Sequence, residues 1–452
     1  MAKKKIFRAQ GLVSSNTAHD VFESDAFLAI EASKIVGLGS WKDRPRHKSF
    51  QIEDCRYGVI TPGLYNLHTH LAMTLFRGLA EDLDLFSWLR DYIFPAEKKW
   101  VDPNFVRVGT ELGACELIRS GCVGVADMYY FVEAQAGALD RSGLRGVIGQ
   151  HFFDEGGTDS KSQDDALRKA KALKRKLKKH PRLQAALIAH APYTCSQRTL
   201  EFVAQSAKEL DMGIMMHTSE TKKELADIKR QTGSSPVQLA KRSGLLEAKF
   251  ALLAHCVWLE DQDYNYLRQS NVTAVFNPQC NAKLGSGIPP IQKMLASNAR
   301  FCVGTDGPAS NNNLDMFAEI NFLSKIHHVS QGDLKSLPGQ IVFDSVTRRS
   351  AEAIGLGAQC GSLEEGKEAD FIVIDTRSPH MQPLHRIYSH LIYSVQGPDV
   401  ESVYVGGKAL MKRRRILSLN EPRILREAAA WGQKIRSALP SQQQPDQLAS
   451  RA

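Results

Sequence analysis

Gly58-Val-Ile-Thr-Pro-Gly-Leu-Tyr-Asn-Leu67 is a short apolar run, followed at once by His68-Thr-His70. A run that is apolar throughout rather than alternating predicts a strand buried on both faces. Seven more follow: Gly121–Tyr130, Gly143–Phe153, Leu183–Pro192, Gly213–Ser219, Phe250–Leu259, Val272–Pro278 and Arg300–Gly307. Helical patterns lie between most of them, as at Asp102–Ser120, Asp164–Lys179, Gln197–Leu210 and Ser234–Ser243. Eight strand-then-helix units predict an α/β protein built on a (β/α)8 TIM barrel. An open doubly wound sheet would call for a G-x-G-x-x-G after the first strand, and the sequence has none there.

Outward from the barrel, the flanks change character. Residues 4–57 hold short alternating runs broken by Gly, Asn and Asp, and residues 361–415 hold Ala369-Asp-Phe-Ile-Val-Ile-Asp375 and Glu401-Ser-Val-Tyr-Val-Gly-Gly-Lys408. These predict strands joined by tight turns. The expected organisation is a small β-sandwich domain from residues 1–57 plus 361–415, a hydrolase barrel over 58–360, and a C-terminal helix and tail over 416–452. The Gln/Pro/Ser-rich stretch Pro440–Ala452 is expected to fray.

Composition narrows the class. The chain has 452 residues, 43% apolar and 24% charged, which excludes a disordered or collagen-like protein. No apolar run approaches the roughly 18 residues of a membrane helix, and the N-terminus does not read as a secretory signal. The eight cysteines are scattered, with no C-x-x-C pair, and predict reduced core thiols in the cytoplasm. The net charge of +9 is accounted for by Arg168–Arg182, which carries nine Lys/Arg and no acid. Ala170, Leu173 and Leu177 recur there at helical spacing, so the run predicts the solvated face of an amphipathic helix rather than a nucleic-acid stripe. Lys412-Arg-Arg-Arg415 predicts a strand-edge or turn cluster. The partners expected are a small-molecule substrate and further copies of the same chain, with neither nucleic acid nor membrane.

Catalytic groups of such a barrel stand at the carboxyl ends of its strands. Here strand one ends in His68-Thr-His70, strand four in His190, strand five in His217 with Glu220 three residues on, strand six in His255 and strand eight in Asp306. Five of eight ends deliver His, Glu or Asp, in a chain with 14 histidines. His68 and His70, two apart on an extended segment, point the same way. With His217 and Asp306 they make three nitrogens and one carboxylate, a set that fits one divalent metal ion, Zn²⁺ first and Fe²⁺ second. A metal-activated water attacks electron-poor carbon. Asp306 can take its proton, Glu220 can pass a proton to the substrate, His255 can orient the nucleophile, and His190 can hold the ring attacked. The bland alternative for Glu220 is a helix N-terminal acid, since Thr218-Ser-Glu-Thr221 could open a helix.

Thr61-Pro-Gly-Leu-Tyr-Asn-Leu-His-Thr-His70 with Val303-Gly-Thr-Asp306 resembles the amidohydrolase superfamily, in its single-metal branch without a carboxylated lysine. His68-Thr-His-Leu-Ala-Met-Thr-Leu-Phe-Arg-Gly-Leu-Ala-Glu-Asp82 resembles the methylthioadenosine/S-adenosylhomocysteine deaminases more narrowly. So do Trp88, Pro95-Ala-Glu97, His190-Ala-Pro-Tyr-Thr-Cys-Ser196, His217-Thr-Ser-Glu220, Ala254-His-Cys-Val257 and Thr305-Asp-Gly-Pro-Ala-Ser-Asn-Asn312. The resemblance runs from about residue 6 to 415.

It implies hydrolytic loss of ammonia from carbon 6 of an adenosine-type nucleoside: methylthioadenosine, S-adenosylhomocysteine or adenosine. It also implies metal ligation by His68, His70, His217 and Asp306, ring protonation by Glu220, and nucleophile orientation by His255. Glu97 would bind the ribose hydroxyls, His190 would contact the base, and Trp88 would line the pocket. Deaminases that take S-adenosylhomocysteine resemble one another in arginines in and after the third barrel strand. Here Gln150 holds the first such place, as a substrate-binding candidate, and the following loop offers only Lys161. The alternative is an amidohydrolase for another aminated or halogenated heterocycle, such as a guanine-type purine or a triazine.

Overall fold

The computed structural model describes residues 4–16 and 20–438. Among them, eight parallel strands stand side by side in chain order: Leu64–Thr69, Cys122–Asp127, Arg145–Phe152, Leu183–Ala189, Gly213–Thr218, Ala251–His255, Val272–Phe276 and Phe301–Val303. Every residue of Cys122–Asp127, Gly213–Thr218 and Ala251–His255 is buried, which is why these strands read as continuous apolar runs. The last strand returns to the first, where the Asp306 amide donates to the His68 carbonyl at 2.9 Å. A Cβ on Gly304 would stand 2.5 Å from the His68 nitrogen, so glycine is what lets the two backbones meet. The expected barrel is the observed one.

The opening run, Gly58–Leu67, is divided between two sheets. Its first half ends the long strand Phe50–Pro62, where Gly58 to Pro62 pair with Asp375 to Phe371, and its second half begins the barrel strand Leu64–Thr69. The break falls at Gly63, where a Cβ would lie 2.1 Å from Val123 Cγ1. Two strands end to end, both apolar, cannot be told from one strand by pattern.

Helices cover the barrel where the spacing places them. Asp102, Ser162, Ser196 and Ser235 each accept a backbone N–H at the start of Pro103–Arg119, Gln163–Leu177, Gln197–Glu209 and Pro236–Arg242. The basic stretch lies on Gln163–Leu177 and beyond, with Ala166, Ala170, Leu173 and Leu177 buried along one face and the cations on the other. Lys412–Arg415 closes a two-residue hairpin between Lys408–Lys412 and Arg415–Ile416, with Arg413 and Arg414 at φ +51° and +62°.

The flanks build a nine-stranded sheet among the described residues. Lys4–Val13 and Phe50–Pro62 run parallel at its centre, and its other pairings are antiparallel. Phe7, Phe371 and Tyr404 pack at its core, with the Phe371 and Tyr404 rings stacked at 4.4 Å. The helix Glu421–Arg436 binds the barrel helix Pro103–Arg119 through Arg119–Glu421 at 2.6 Å and Arg107–Glu427 at 2.8 Å. The expectation for Pro440–Ala452 lies outside the described residues. Among those described, no helix is long and apolar enough to cross a membrane.

One buried ion pair ties the sheet to the barrel. Arg145 on the third barrel strand forks onto Asp370, with Nη2 to Oδ1 at 2.9 Å, and Asp370 Oδ1 also accepts from the Gly406 amide at 2.7 Å. Both side chains are at most 4% exposed. Asp370→Ala leaves the buried guanidinium with Glu368 at 3.5 Å and the Pro181 carbonyl at 3.3 Å, and the lost charged hydrogen bonds are expected to cost about 1.5–3 kcal/mol. Denaturant melts would read it, and a loss under about 1 kcal/mol would mean water reaches Arg145.

Candidate active site

The strand ends converge. His68 Nε2 and His70 Nε2 each lie 3.2 Å from Asp306 Oδ1, and His217 Nε2 lies 3.3 Å from His70 Nε2. The other nitrogens are already committed. His70 Nδ1 donates to the Met128 carbonyl, and His217 Nδ1 donates to the His190 carbonyl at 2.7 Å. With those protons on Nδ1, each Nε2 is free to turn a lone pair to a bound cation. Among the described residues His68 Nε2 has no hydrogen-bond partner although it is buried. Two overlapping sets of donor atoms, one on His68, His70 and Asp306 and one on His68, His217 and His255, each lie within 4.8 Å of one another, and with His217 Nε2 3.3 Å from His70 Nε2 the donors gather where a divalent cation would fit. The structure thus brings together all four residues predicted as ligands.

The backbone is bent at this rim. Ser219, His255, Cys256 and Asp306 have φ of +54°, +72°, +46° and +64°, left-handed values that side chains other than glycine rarely adopt. Such strain costs of the order of 1–3 kcal/mol per residue and persists where the surroundings dictate it, typically at functional sites.

Glu220 stands beside the cluster, 2% exposed. Burial, then the charges of Asp306 and Glu224, push its pKa well above the carboxylate range. Ser286 Oγ donates to Oε1 at 3.3 Å, and His255 Nε2 lies 3.5 Å from Oε2. His255 in turn is held through Nδ1, 3.0 Å from Asn281 Nδ2. Burial lowers the pKa of both His255 and His190 to about 3, so both imidazoles are neutral. The helix-opening acid is Glu224, not Glu220. Thr221 caps Lys222–Thr232, and the Glu224 carboxylate accepts from the Ser219 and Glu220 amides at 2.9 and 2.7 Å. That leaves the Glu220 side chain to the cavity. Thr221-Lys-Lys-Glu224 is the capping pattern that marks this residue in the sequence.

A cavity opens over the cluster, and Trp88, Glu97, His190, Glu220, His255 and Asp306 all line it. Glu97, on Phe94–Trp100, accepts from the Tyr130 hydroxyl at 3.3 Å. Burial raises its pKa to about 7, against the pull of Tyr129, His70 and Tyr130. His190 is fixed by Thr194 Oγ1, 2.8 Å from its Nδ1. Gln150 is not brought to this cavity. Its amide donates to Asp159 at 3.0 Å, and the residue of that strand that lines the cavity is its neighbour His151. Adjacent residues of a strand face opposite ways, so a one-residue difference decides which is presented. No motif in the sequence singles out His151.

Comparison with known proteins agrees with this architecture. The Amidohydrolase family matches residues 59–410. The chain is 36% identical over 441 residues, 97% of its length and 100% of the relative's, to a 5-methylthioadenosine/S-adenosylhomocysteine deaminase of Thermodesulfovibrio yellowstonii. It is 38% identical over 410 residues, 90% of its length and 93% of the relative's, to a 5'-deoxyadenosine deaminase of Methanosarcina acetivorans. The crystal structure of an adenosine deaminase from Xanthomonas campestris with bound zinc superposes with a TM-score of 0.92 at 30% identity, covering 96% of this chain and 99% of that one. The chain belongs to the amidohydrolase family.

Proposed function

We propose that the protein is a hydrolytic deaminase of adenosine-type nucleosides, converting the ring C–NH2 to C=O with release of ammonia. One observation carries this reading: a single cavity has a metal-type cluster with a proton-loaded Glu220 in its wall, and a second buried carboxylate, Glu97, in the same wall. The relatives' names support it.

The roles follow from position and protonation. His68, His70, His217 and Asp306 would hold one divalent cation, zinc before iron, whose Lewis acidity readies a water near neutral pH. Glu220 gives its proton to the ring nitrogen beside the reacting carbon, which makes that carbon electron-poor. His255 orients the incoming oxygen and Asp306 takes the proton that the water sheds. The O–C bond forms, Asp306 hands its proton to the amine, the C–N bond breaks as ammonia leaves, and the new hydroxyl returns a proton to Glu220 as the C=O forms. His190 contacts the base, Trp88 lines the pocket, and Glu97 accepts from sugar hydroxyls. Residues 64–360 carry this chemistry, beside the sheet that the two flanks build and the helix Glu421–Arg436. Eight free, buried cysteines suit a cytoplasmic site, and a homo-oligomer is the expected assembly.

The test is ammonia release by metal-loaded protein on methylthioadenosine, S-adenosylhomocysteine, adenosine, guanine and an aminotriazine. Fast turnover of the adenosine compounds is expected. Turnover confined to guanine or the triazine would overturn the nucleoside reading and leave the fold standing.

Glu97 adds a pH prediction. Its pKa near 7 means that it is neutral, and a poor acceptor, at lower pH. KM for adenosine is therefore expected to rise about tenfold per pH unit below 7, and this dependence should vanish in Glu97→Gln. A wild-type KM flat from pH 5.5 to 7.5 would remove the carboxylate from sugar binding.

A further inference from the structure

His151 is 3% exposed and lines the cavity, yet among the described residues its Nδ1 makes no hydrogen bond. The Tyr129 backbone favours an N–H on the ring, and with Nδ1 unpartnered that N–H is assigned to Nε2. A ring that donates from Nε2 to a carbonyl carries its lone pair on Nδ1. Burial, then the neighbouring His190 and His70, hold the pKa of the ring well below the ordinary histidine range, so no second proton fills that position. The ring packs against Tyr130, at 5.0 Å, and Phe153, at 5.8 Å and 14° from parallel, with His190 6.0 Å away. Its strand neighbour Gln150 spends its amide on Asp159. A buried acceptor without a donor is unfavourable in the free protein, and it persists where a ligand supplies the donor.

Resting on the nucleoside reading above, we infer that His151 is a specificity-determining residue that accepts a hydrogen bond through Nδ1 from a hydroxyl of the substrate's sugar. The chemistry of the substrate selects the hydroxyl. An adenosine-type base carries one N–H donor group, the amine that is lost beside Glu220 and the metal ligands. Its unsubstituted ring nitrogens are acceptors. The remaining donors are on the sugar. His151 stands on the sugar side of the cavity, because the Tyr130 ring that packs on it also donates its hydroxyl to Glu97. Glu97 and His151 then divide the sugar's donors between a carboxylate and a neutral imidazole.

Two substitutions separate recognition from support. In His151→Asn the amide oxygen takes the place of Nδ1, and the donor to Tyr129 is lost. In His151→Gln the amide NH2 takes the place of Nε2, which keeps the Tyr129 bond and removes the acceptor. Metal-loaded wild type and both variants would be assayed on adenosine and its 2'-deoxy, 3'-deoxy and 5'-deoxy forms, with kcat and KM resolved. Wild type is expected to lose about tenfold or more in kcat/KM, mainly through KM, on one of the three deoxy forms. His151→Asn should keep that penalty. His151→Gln should handle adenosine as poorly as wild type handles that form, with no further loss on it. If His151→Gln shows the same penalties as wild type while His151→Asn collapses on every substrate, His151 only props up Tyr129 and the inference is overturned. Wild type inactive on all four compounds would sink the nucleoside reading itself, an outcome distinct from unchanged penalties in an active enzyme.

Discussion

Glu220→Gln is expected to lower kcat by about 10²–10⁴-fold while metal content stays at the wild-type level. The change is isosteric. The amide can still accept from Ser286 Oγ and still meet His255, so substrate should bind with little change in KM. It cannot deliver a proton. In the wild type that proton is present at neutral pH because burial and the nearby Asp306 and Glu224 charges oppose ionisation. The sign of the pH dependence follows. The acid must be loaded, so the wild-type rate falls as pH climbs through the raised pKa, and this limb should be missing from the residual rate of Glu220→Gln. Glu220 is outside the set of converging nitrogens, so the variant should bind metal normally. A kcat within about threefold of wild type would assign the proton to another group.

The barrel and its ligands could be read from the chain for a physical reason. Parallel strands sheathed by helices are apolar along their whole length, and catalytic groups follow at the point where each strand stops. His68-Thr-His70, His217 and Asp306 therefore stand out one by one at the ends of apolar runs, before any contact between them is known. What could not be read depends on facing and on sheet membership. The step at Gly63 between two sheets leaves no mark in hydrophobicity, because the residues on both sides of it, 59–62 and Leu64–Thr69, are buried. Gln150 and His151 differ by one residue, and only the packing of the third strand decides that His151 meets the cavity while Gln150 turns to Asp159. Glu220 and Glu224 are four apart on what reads as one helix start. Thr221 as cap makes Glu224 the residue that folds back on the amides, and Glu220 is thereby released for chemistry.

Asp306→Ala is expected to abolish both stoichiometric metal and turnover. The carboxylate is the negative member of the set, and its Oδ1 is 3.2 Å from two of the three imidazoles. Without it the cation would face three neutral nitrogens, and affinity should fall by at least about a hundredfold, more than the loss of an outer hydrogen bond to a ligand costs. Stability supplies a readout independent of activity. A ligand that binds the native state raises its melting temperature, so a chelator should lower the Tm of wild type and leave that of Asp306→Ala unchanged. Asp306→Asn distinguishes charge from geometry. Its amide oxygen can still reach the cation, so it should retain some metal, yet it cannot take a proton from water, and its turnover should fall further than its metal content. Full metal occupancy in Asp306→Ala, by elemental analysis after dialysis, would take Asp306 out of the ligand set and leave the three histidines to hold the ion without it.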